Sequence, residues 1–360
     1  MKILLFIDGL DSGGAQRQIC GLAVFLRQQG HDVRLFHYKY GANFYMDYLK
    51  KNDVDLRTSY SSVYLALINY FKEVKKYKPD IIISFLNQPC IVSGIIKLMN
   101  NTHLIVSDRN TTINAKFMDK VRFWVYKRAD LIVPNSYSQT EYLANYYGHK
   151  VDRIEPIINF VDTGYFVPNM ELNNTPIKVI SVVARVVPQK NVTGLIKAVS
   201  EVAKKRSDFV VNWYGDLSNI EYVNKCKALI DELSADNFFI FKGEEKNILS
   251  VYTQSNALCL PSFIEGTPNV ICEAMSCGLP IICSDICDNG RYVKEHENGF
   301  LFDPRNIESI SSAIINFINS DKDTIKKYGI NSRNKAIEYF SVSAFTNNWI
   351  KCINDVVNGK

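Results

Sequence analysis

A chain of 360 residues is longer than one hydrophobic core usually serves, so two domains of about 150 to 180 residues each are expected. With 47% hydrophobic and 22% charged residues and no repeated or low-complexity segment, the composition is that of an ordinary globular protein and argues against disorder beyond short linkers. The net charge of +5 divides unequally: residues 1–165 carry 21 Lys and Arg against 15 Asp and Glu, the remainder 21 against 22, so the basic excess belongs to the first half.

Residues 1–7 are too short an apolar stretch for a signal peptide and run straight into glycines, so 3–7 is read as a first strand. The turn Gly9-Leu-Asp-Ser-Gly-Gly-Ala-Gln then opens a helix from about Ala15. There Gly13 and Gly14 would let backbone amides approach a phosphate or sugar oxygen at a helix N-terminus. A plain tight turn explains them about as well, because this is not the GxGxxG fingerprint. Further apolar runs at 33–38, 81–85, 104–106 and 131–133 alternate with helix-period stretches, the pattern of a parallel, doubly wound sheet.

Within 116–128, Lys116, Lys120 and Lys127 recur at helical spacing beside a stripe of Phe117, Val121, Trp124 and Val125. The stripe either packs on the sheet or lies on an anionic bilayer, and packing is the expectation for a globular chain. Aromatic residues are not interleaved with a longer basic stripe, which argues against a nucleic-acid partner. Residues 163–176, with two prolines and adjacent asparagines, lose periodicity, and a linker is expected at 166–176. The domains are thus 1–165 and 177–338, with a helix-like tail at 339–360.

The second half repeats the alternation, with strands expected at 178–183, 209–214, 238–241, 257–260 and 281–284. Two Rossmann-like domains present the carboxyl ends of their strands as the place for ligands, so an interdomain site is expected. After the first of these strands comes Val183-Ala-Arg-Val-Val-Pro-Gln-Lys-Asn191, leading into a helix expected near Gln189. Arg185 and Lys190 oppose the helix dipole there and call for an anionic partner such as a diphosphate. The most specific segment is Pro261-Ser-Phe-Ile-Glu-Gly-Thr-Pro-Asn-Val-Ile-Cys-Glu-Ala-Met-Ser-Cys-Gly-Leu-Pro280. Glu265 precedes a non-helical loop in which Gly266 permits close backbone approach, while Glu273 lies about one turn into the next helix. One carboxylate can then meet a sugar and the other a pair of ribose hydroxyls, with amides of Thr267, Asn269 and Val270 near a phosphate. Nine cysteines without paired CxxC spacing, beside only five histidines, read as reduced, buried thiols of a cytoplasmic protein.

The string EGTPNVICE at 265–273, followed by AMSCGLP, resembles the EX7E motif of glycosyltransferase family 4, retaining sugar transferases of the GT-B fold. Matches extend over most of the chain: Gly13-Gly14, ARVVPQKN at 184–191, Tyr214-Gly215-Asp216, Phe241-Lys-Gly243 and Asn298-Gly-Phe-Leu-Phe302. The resemblance implies a GT-B α/β fold of two Rossmann-like domains, a tail crossing back to the first domain, and a nucleotide-sugar donor, UDP-linked by expectation. It implies Arg185 and Lys190 on the diphosphate, Glu273 on the ribose and Glu265 on the transferred sugar. Gly215 and Lys242 would line the nucleotide pocket, and Gly266, Thr267, Pro268, Asn269 and Val270 the phosphate and sugar. No cofactor or metal is implied. Asp53-Val-Asp55 matches the DxD string of GT-A transferases but lies far from the cationic pair, and no metal is assigned to it.

Two departures from the family pattern bear on the acceptor side. Where many members carry a His after the fourth strand, this chain reads Val106-Ser-Asp-Arg-Asn110; Asp108 could orient a hydroxyl and Arg109 pair with a phosphate, or the two could form a loop salt bridge or cap. Cys287-Asp-Asn-Gly290 stands where a Gly-Gly is frequent. By analogy with bacterial relatives, the acceptor is expected to be a glycan or a polyprenyl-pyrophosphate-linked sugar of surface-polysaccharide synthesis, and the basic first half suits a peripheral enzyme on the inner face of the membrane. A GT-B epimerase and a sugar-nucleotide-binding subunit without catalysis are the alternatives.

Overall fold

The computed structural model describes residues 1–41, 43–59, 63–109, 111–112, 115–148, 153–169 and 176–359. The chain forms two compact units, one of Met1–Asn159 with Ser343–Lys360 and one of Phe160–Val342. Each is built on a six-stranded sheet whose strand pairs are all parallel.

In the first unit the strands are β1 (Lys2–Phe6), β2 (Asp32–His37), β3 (Asp55–Thr58), β4 (Ile81–Phe85), β5 (His103–Asp108) and β6 (Leu131–Pro134), in the order β3-β2-β1-β4-β5-β6. In the second they are β7 (Lys178–Val183), β8 (Phe209–Tyr214), β9 (Phe239–Gly243), β10 (Ala257–Leu260), β11 (Ile281–Ser284) and β12 (Gly299–Phe302), in the order β12-β11-β10-β7-β8-β9. Both sheets therefore reverse direction of winding beside their first strand, between β1 and β4 and between β7 and β10. Helices cover both faces of each sheet, which is why central strands such as β4, β10 and β11 are buried at every position.

Strands β3 and β12 add to those expected from the sequence. β3 is Asp-Leu-Arg-Thr at a sheet edge, partly exposed and held by the Arg34–Asp55 pair at 2.7 Å. Asp55 also bonds Arg57 at 3.0 Å, so half of the DxD string serves the sheet edge. β12 begins on Gly299, where a Cβ would sit 1.9 Å from the Ile281 carbonyl oxygen. Residues 160–169 are tied to the second unit: the Phe166 carbonyl accepts from Ser276 Oγ and Arg333 Nη1, both at 2.7 Å. Residues 170–175 of the expected linker lie outside the described residues.

The final helix, Val342–Val357, buries Phe345, Trp349, Cys352, Ile353 and Val356, a helical stripe. Trp349 stacks on Phe85 of β4 with centroids 5.7 Å apart, and Phe345 meets Phe25 edge-on, so from Ser343 onward the chain is part of the first unit's core.

Helix Phe117–Tyr126 departs from expectation. It buries Arg122, Phe123, Val125 and Tyr126, whereas Phe117 is 77% and Trp124 57% exposed. Two contacts turn it this way. Arg122 is drawn inward to Asp108, and Tyr147 Oη donates 2.7 Å to the Phe123 carbonyl. Half of the stripe read as core-facing, Phe117 and Trp124, thus faces solvent, while Val121 is half-buried and Val125 buried. Eight of the nine cysteines are buried free thiols, Cys272, Cys277 and Cys283 among them; Cys287 is exposed.

Candidate functional site

At the reversal between β7 and β10, adjacent parallel strands send out the loops 184–191 and 261–268 on the same side of the sheet. Open α/β sheets hold ligands at such a point. The loops are stitched together. Phe263 N–H donates to the Gln189 carbonyl at 2.9 Å, Gln189 Nε2 donates to the Ile264 carbonyl at 3.1 Å, and Lys190 Nζ forms an ion pair with Glu265 Oε1. Both side chains of that pair are largely shielded, at 17% and 12% exposure, so it is worth more than an open surface pair.

The local sequence explains the shape of the first loop. Pro188–Lys190 is a 3-10 turn started by proline, and Asn191 adopts a left-handed φ of 54°, which asparagine tolerates better than most residues. Asn191 Nδ2 also bonds the Pro304 carbonyl at 2.8 Å. The helix consequently starts at Val192, not near Gln189, and Lys190 stands before it rather than within it. Arg185 is exposed. Its charge contributes, after hydrogen bonds from the Ser218 side chain and backbone, to holding the Asp216 carboxyl below its ordinary value.

Gly215 ends β8 beside this loop. A Cβ there would lie 2.0 Å from the Ala184 carbonyl oxygen, so only glycine fits. Its N–H donates to Gly243 at 2.8 Å, bringing the end of β9, with exposed Lys242, alongside. In the second loop Thr267 and Pro268 are buried, while Gly266, Asn269 and Val270 are half-buried. Helix Asn269–Ser276 starts at the carboxyl end of β10 and has no acidic residue in its first turn. Glu273, in its second turn, is 6% exposed and accepts from Tyr252 Oη at 2.7 Å. The fold therefore gathers Arg185, Lys190, Gly215, Lys242, Glu265 to Val270 and Glu273 around the carboxyl ends of β7 to β10. Tyr252, itself fully buried, is a functional candidate that the sequence did not single out; nothing in a local pattern marks it.

The remaining sequence candidates belong to the first unit. Gly13 is the N-cap of helix Gly14–Gln28, whose first turn carries no acidic residue, at the carboxyl end of β1. Asp108 is fully buried, with Oδ1 3.3 Å from Arg122 Nη1 and Oδ2 accepting from Gln139 Nε2 at 3.1 Å, so of its two expected readings the geometry is that of the salt bridge. Burial alone would lower the Arg122 pKa, but Asp108 and neighbouring negative groups outweigh it and raise it. Arg109 lies over the Phe85 ring at 4.2 Å and donates from Nη1 to Asn159 at 3.0 Å. Its Nε and Nη2 are buried without an acceptor among the described residues, and burial lowers its pKa to about 9. A guanidinium in that state is primed for an anion. No group of three or more His, Cys, Asp or Glu suited to a metal ion converges among the described residues.

Comparison with known proteins bears on this geometry. Residues 168–338 match the family model described as glycosyl transferases group 1, and residues 12–165 the one described as glycosyltransferase family 4. The chain is 26% identical over 379 residues, covering 99% of both proteins, to the Campylobacter jejuni GalNAc-alpha-(1->4)-GalNAc-alpha-(1->3)-diNAcBac-PP-undecaprenol alpha-1,4-N-acetyl-D-galactosaminyltransferase. Among solved structures it resembles a glycosyltransferase from Rickettsia africae, with TM-score 0.87, 20% identity and coverage of 100% of this chain and 99% of that one. It also resembles Anabaena HepE in complex with UDP, with TM-score 0.86, 18% identity and coverage of 99% and 100%.

Proposed function

We propose, because the chain belongs to glycosyltransferase family 4, that it moves a hexose or N-acetylhexosamine from a UDP-sugar to a polyprenyl-diphosphate-linked or glycan acceptor, keeping the configuration at the anomeric carbon. The observation that carries this reading is the Lys190–Glu265 clasp at the β7/β10 reversal, with Arg185 exposed beside it. Cations beside a carboxylate suit a ligand that is a diphosphate at one end and a polyhydroxylated ring at the other.

In this reading Arg185 and Lys190 neutralise the diphosphate as the bond from the anomeric carbon to its oxygen breaks. The acceptor oxygen forms its bond on the same face, and its proton passes to the departing diphosphate. UDP and the extended acceptor are the products. Glu265, oriented by Lys190, holds hydroxyls of the sugar, and Glu273, oriented by Tyr252, holds the ribose. Gly215, Lys242 and the segment Gly266, Thr267, Pro268, Asn269 and Val270 line the donor. Arg109 is the candidate for a phosphate of the acceptor. The UDP complex of the Anabaena protein supports the base, and the undecaprenol named for the Campylobacter relative supports the acceptor. An acceptor of that kind suits a peripheral protein at the inner face of the membrane. No helix among the described residues is long and apolar enough to cross one.

The test is a thermal-shift screen of nucleotide sugars, then UDP release and product anomeric configuration with a lipid-diphosphate sugar. A product with the donor's own configuration is expected. A changed free sugar formed without acceptor would replace transfer by epimerisation; binding without UDP release from any pairing would leave a non-catalytic subunit.

A further inference from the structure

The outward face of helix Phe117–Tyr126 has a composition that ordinary solvated surfaces lack. Between 116 and 127 every exposed residue is a cation or a large apolar group: Lys116, Phe117, Met118, Lys120, Trp124 and Lys127. The one carboxylate of the helix, Asp119, is turned away, bonded to Arg122 Nη2 at 3.2 Å and to the Lys116 N–H at 3.0 Å. Arg128 stacks on Trp124 at 3.6 Å, so a further positive charge lies against the exposed ring. The apolar surface continues onto helix Asn87–Lys97. That helix touches the first so closely that a Cβ at Gly94 would lie 2.1 Å from Val125 Cγ1, and one turn beyond this contact Leu98 and Met99 are each 65% exposed.

We infer that this face docks on the surface of an anionic bilayer, with Phe117, Met118 and Trp124 entering the headgroup region and Lys116, Lys120, Lys127 and Arg128 lying among lipid phosphates. Charge complementarity selects the occupant. A protein partner or second copy would have to bury several lysines on an apolar patch, whereas a bilayer accepts the rings and leaves the ammonium groups at the charged interface. The Trp124 indole, apolar with one polar N–H edge, suits that boundary. The proposal deepens the reading of a lipid-linked acceptor, since docking would hold the first unit where such an acceptor resides.

The experiment uses the full chain and vesicles of equal phosphatidylglycerol and phosphatidylcholine, with phosphatidylcholine alone as the comparison. Of the three tryptophans, Trp213 and Trp349 are fully buried, so the exposed Trp124 reports the contact. Expected are co-sedimentation with anionic vesicles only, weakening with salt, and a blue shift of Trp124 emission. Phe117→Ser with Trp124→Ser, and separately Lys116→Glu with Lys120→Glu, should each lower partitioning about tenfold or more. If the apolar variant fails to fold, the charge variant carries the test. Unchanged partitioning in the variants, or equal binding to neutral vesicles, overturns the proposal; so does a change of oligomeric state in the variants with vesicle binding intact. Failure of the functional reading looks different: no transfer to either a short water-soluble or a vesicle-held acceptor, while anionic vesicles still bind through this face.

Discussion

Glu265 and Glu273 are both largely buried carboxylates of one segment, yet they have different partners and should fail differently. Glu265→Gln removes the charge that Lys190 holds, and turnover is expected to fall about a hundredfold with donor affinity little altered. Glu273→Gln should chiefly raise the donor KM. Tyr252 gives the sharper test of that division. Its hydroxyl holds Glu273 at 2.7 Å, and a hydrogen bond to a charged group contributes about 1.5–3 kcal/mol. Tyr252→Phe should therefore raise the donor KM roughly tenfold while kcat stays within about twofold; a fall in kcat alone would remove Tyr252 as the positioner of the ribose carboxylate. Arg185→Ala, which in the proposed mechanism removes a cation from the leaving diphosphate, should cost about a hundredfold in turnover, and unchanged rates would remove it from the mechanism.

Elements carry constraints that single residues do not. The end of β8 passes so close to the loop after β7 that Gly215→Ala drives a methyl into the Ala184 carbonyl; urea unfolding should show a loss of about 1–3 kcal/mol. That loop would shift with it, so donor affinity should fall too. In the first unit, the end of β5 and helix Phe117–Tyr126 are joined by the buried Asp108–Arg122 pair. Asp108→Ala leaves Arg122 uncompensated and should cost about 3–5 kcal/mol, whereas adding Arg122→Met should return part of it. Equal losses in the single and double variants would mean that the pair is not coupled. The strands of both sheets were legible because central strands covered on both faces read as apolar runs. The edge strands β3 and β12 were not, because Asp-Leu-Arg-Thr has no buried position and β12 is a four-residue strand that opens on glycine.

For the whole molecule, two units with separate cores mean that a ligand bound by one unit stabilises that unit first. UDP at a hundredfold excess over its Kd should add about 2.7 kcal/mol to the unfolding free energy of the unit that binds it. Amide hydrogen exchange should slow across 184–191 and 261–276. Protection confined to other segments would move the nucleotide away from the β7/β10 reversal.

The sequence by itself determined the alternation of strands and helices in both halves and the segments bearing Arg185, Lys190, Glu265 and Glu273. These are local properties: periodicity sets the element, and a strand end followed by glycine, proline or asparagine sets the loop. Only the tertiary structure decided which partner each charged group has. Lys190 meets Glu265 across 75 residues, Tyr252 meets Glu273 from another helix, and Asp108 is claimed by Arg122 and Gln139. It also decided which face of helix Phe117–Tyr126 is buried. The helical period of Phe117, Val121, Trp124 and Val125 marked an apolar stripe, but satisfying a buried carboxylate with Arg122 and packing Phe123 and Tyr126 outweighed burying Phe117 and Trp124. Such competition between long-range contacts has no trace in the spacing of residues along the chain.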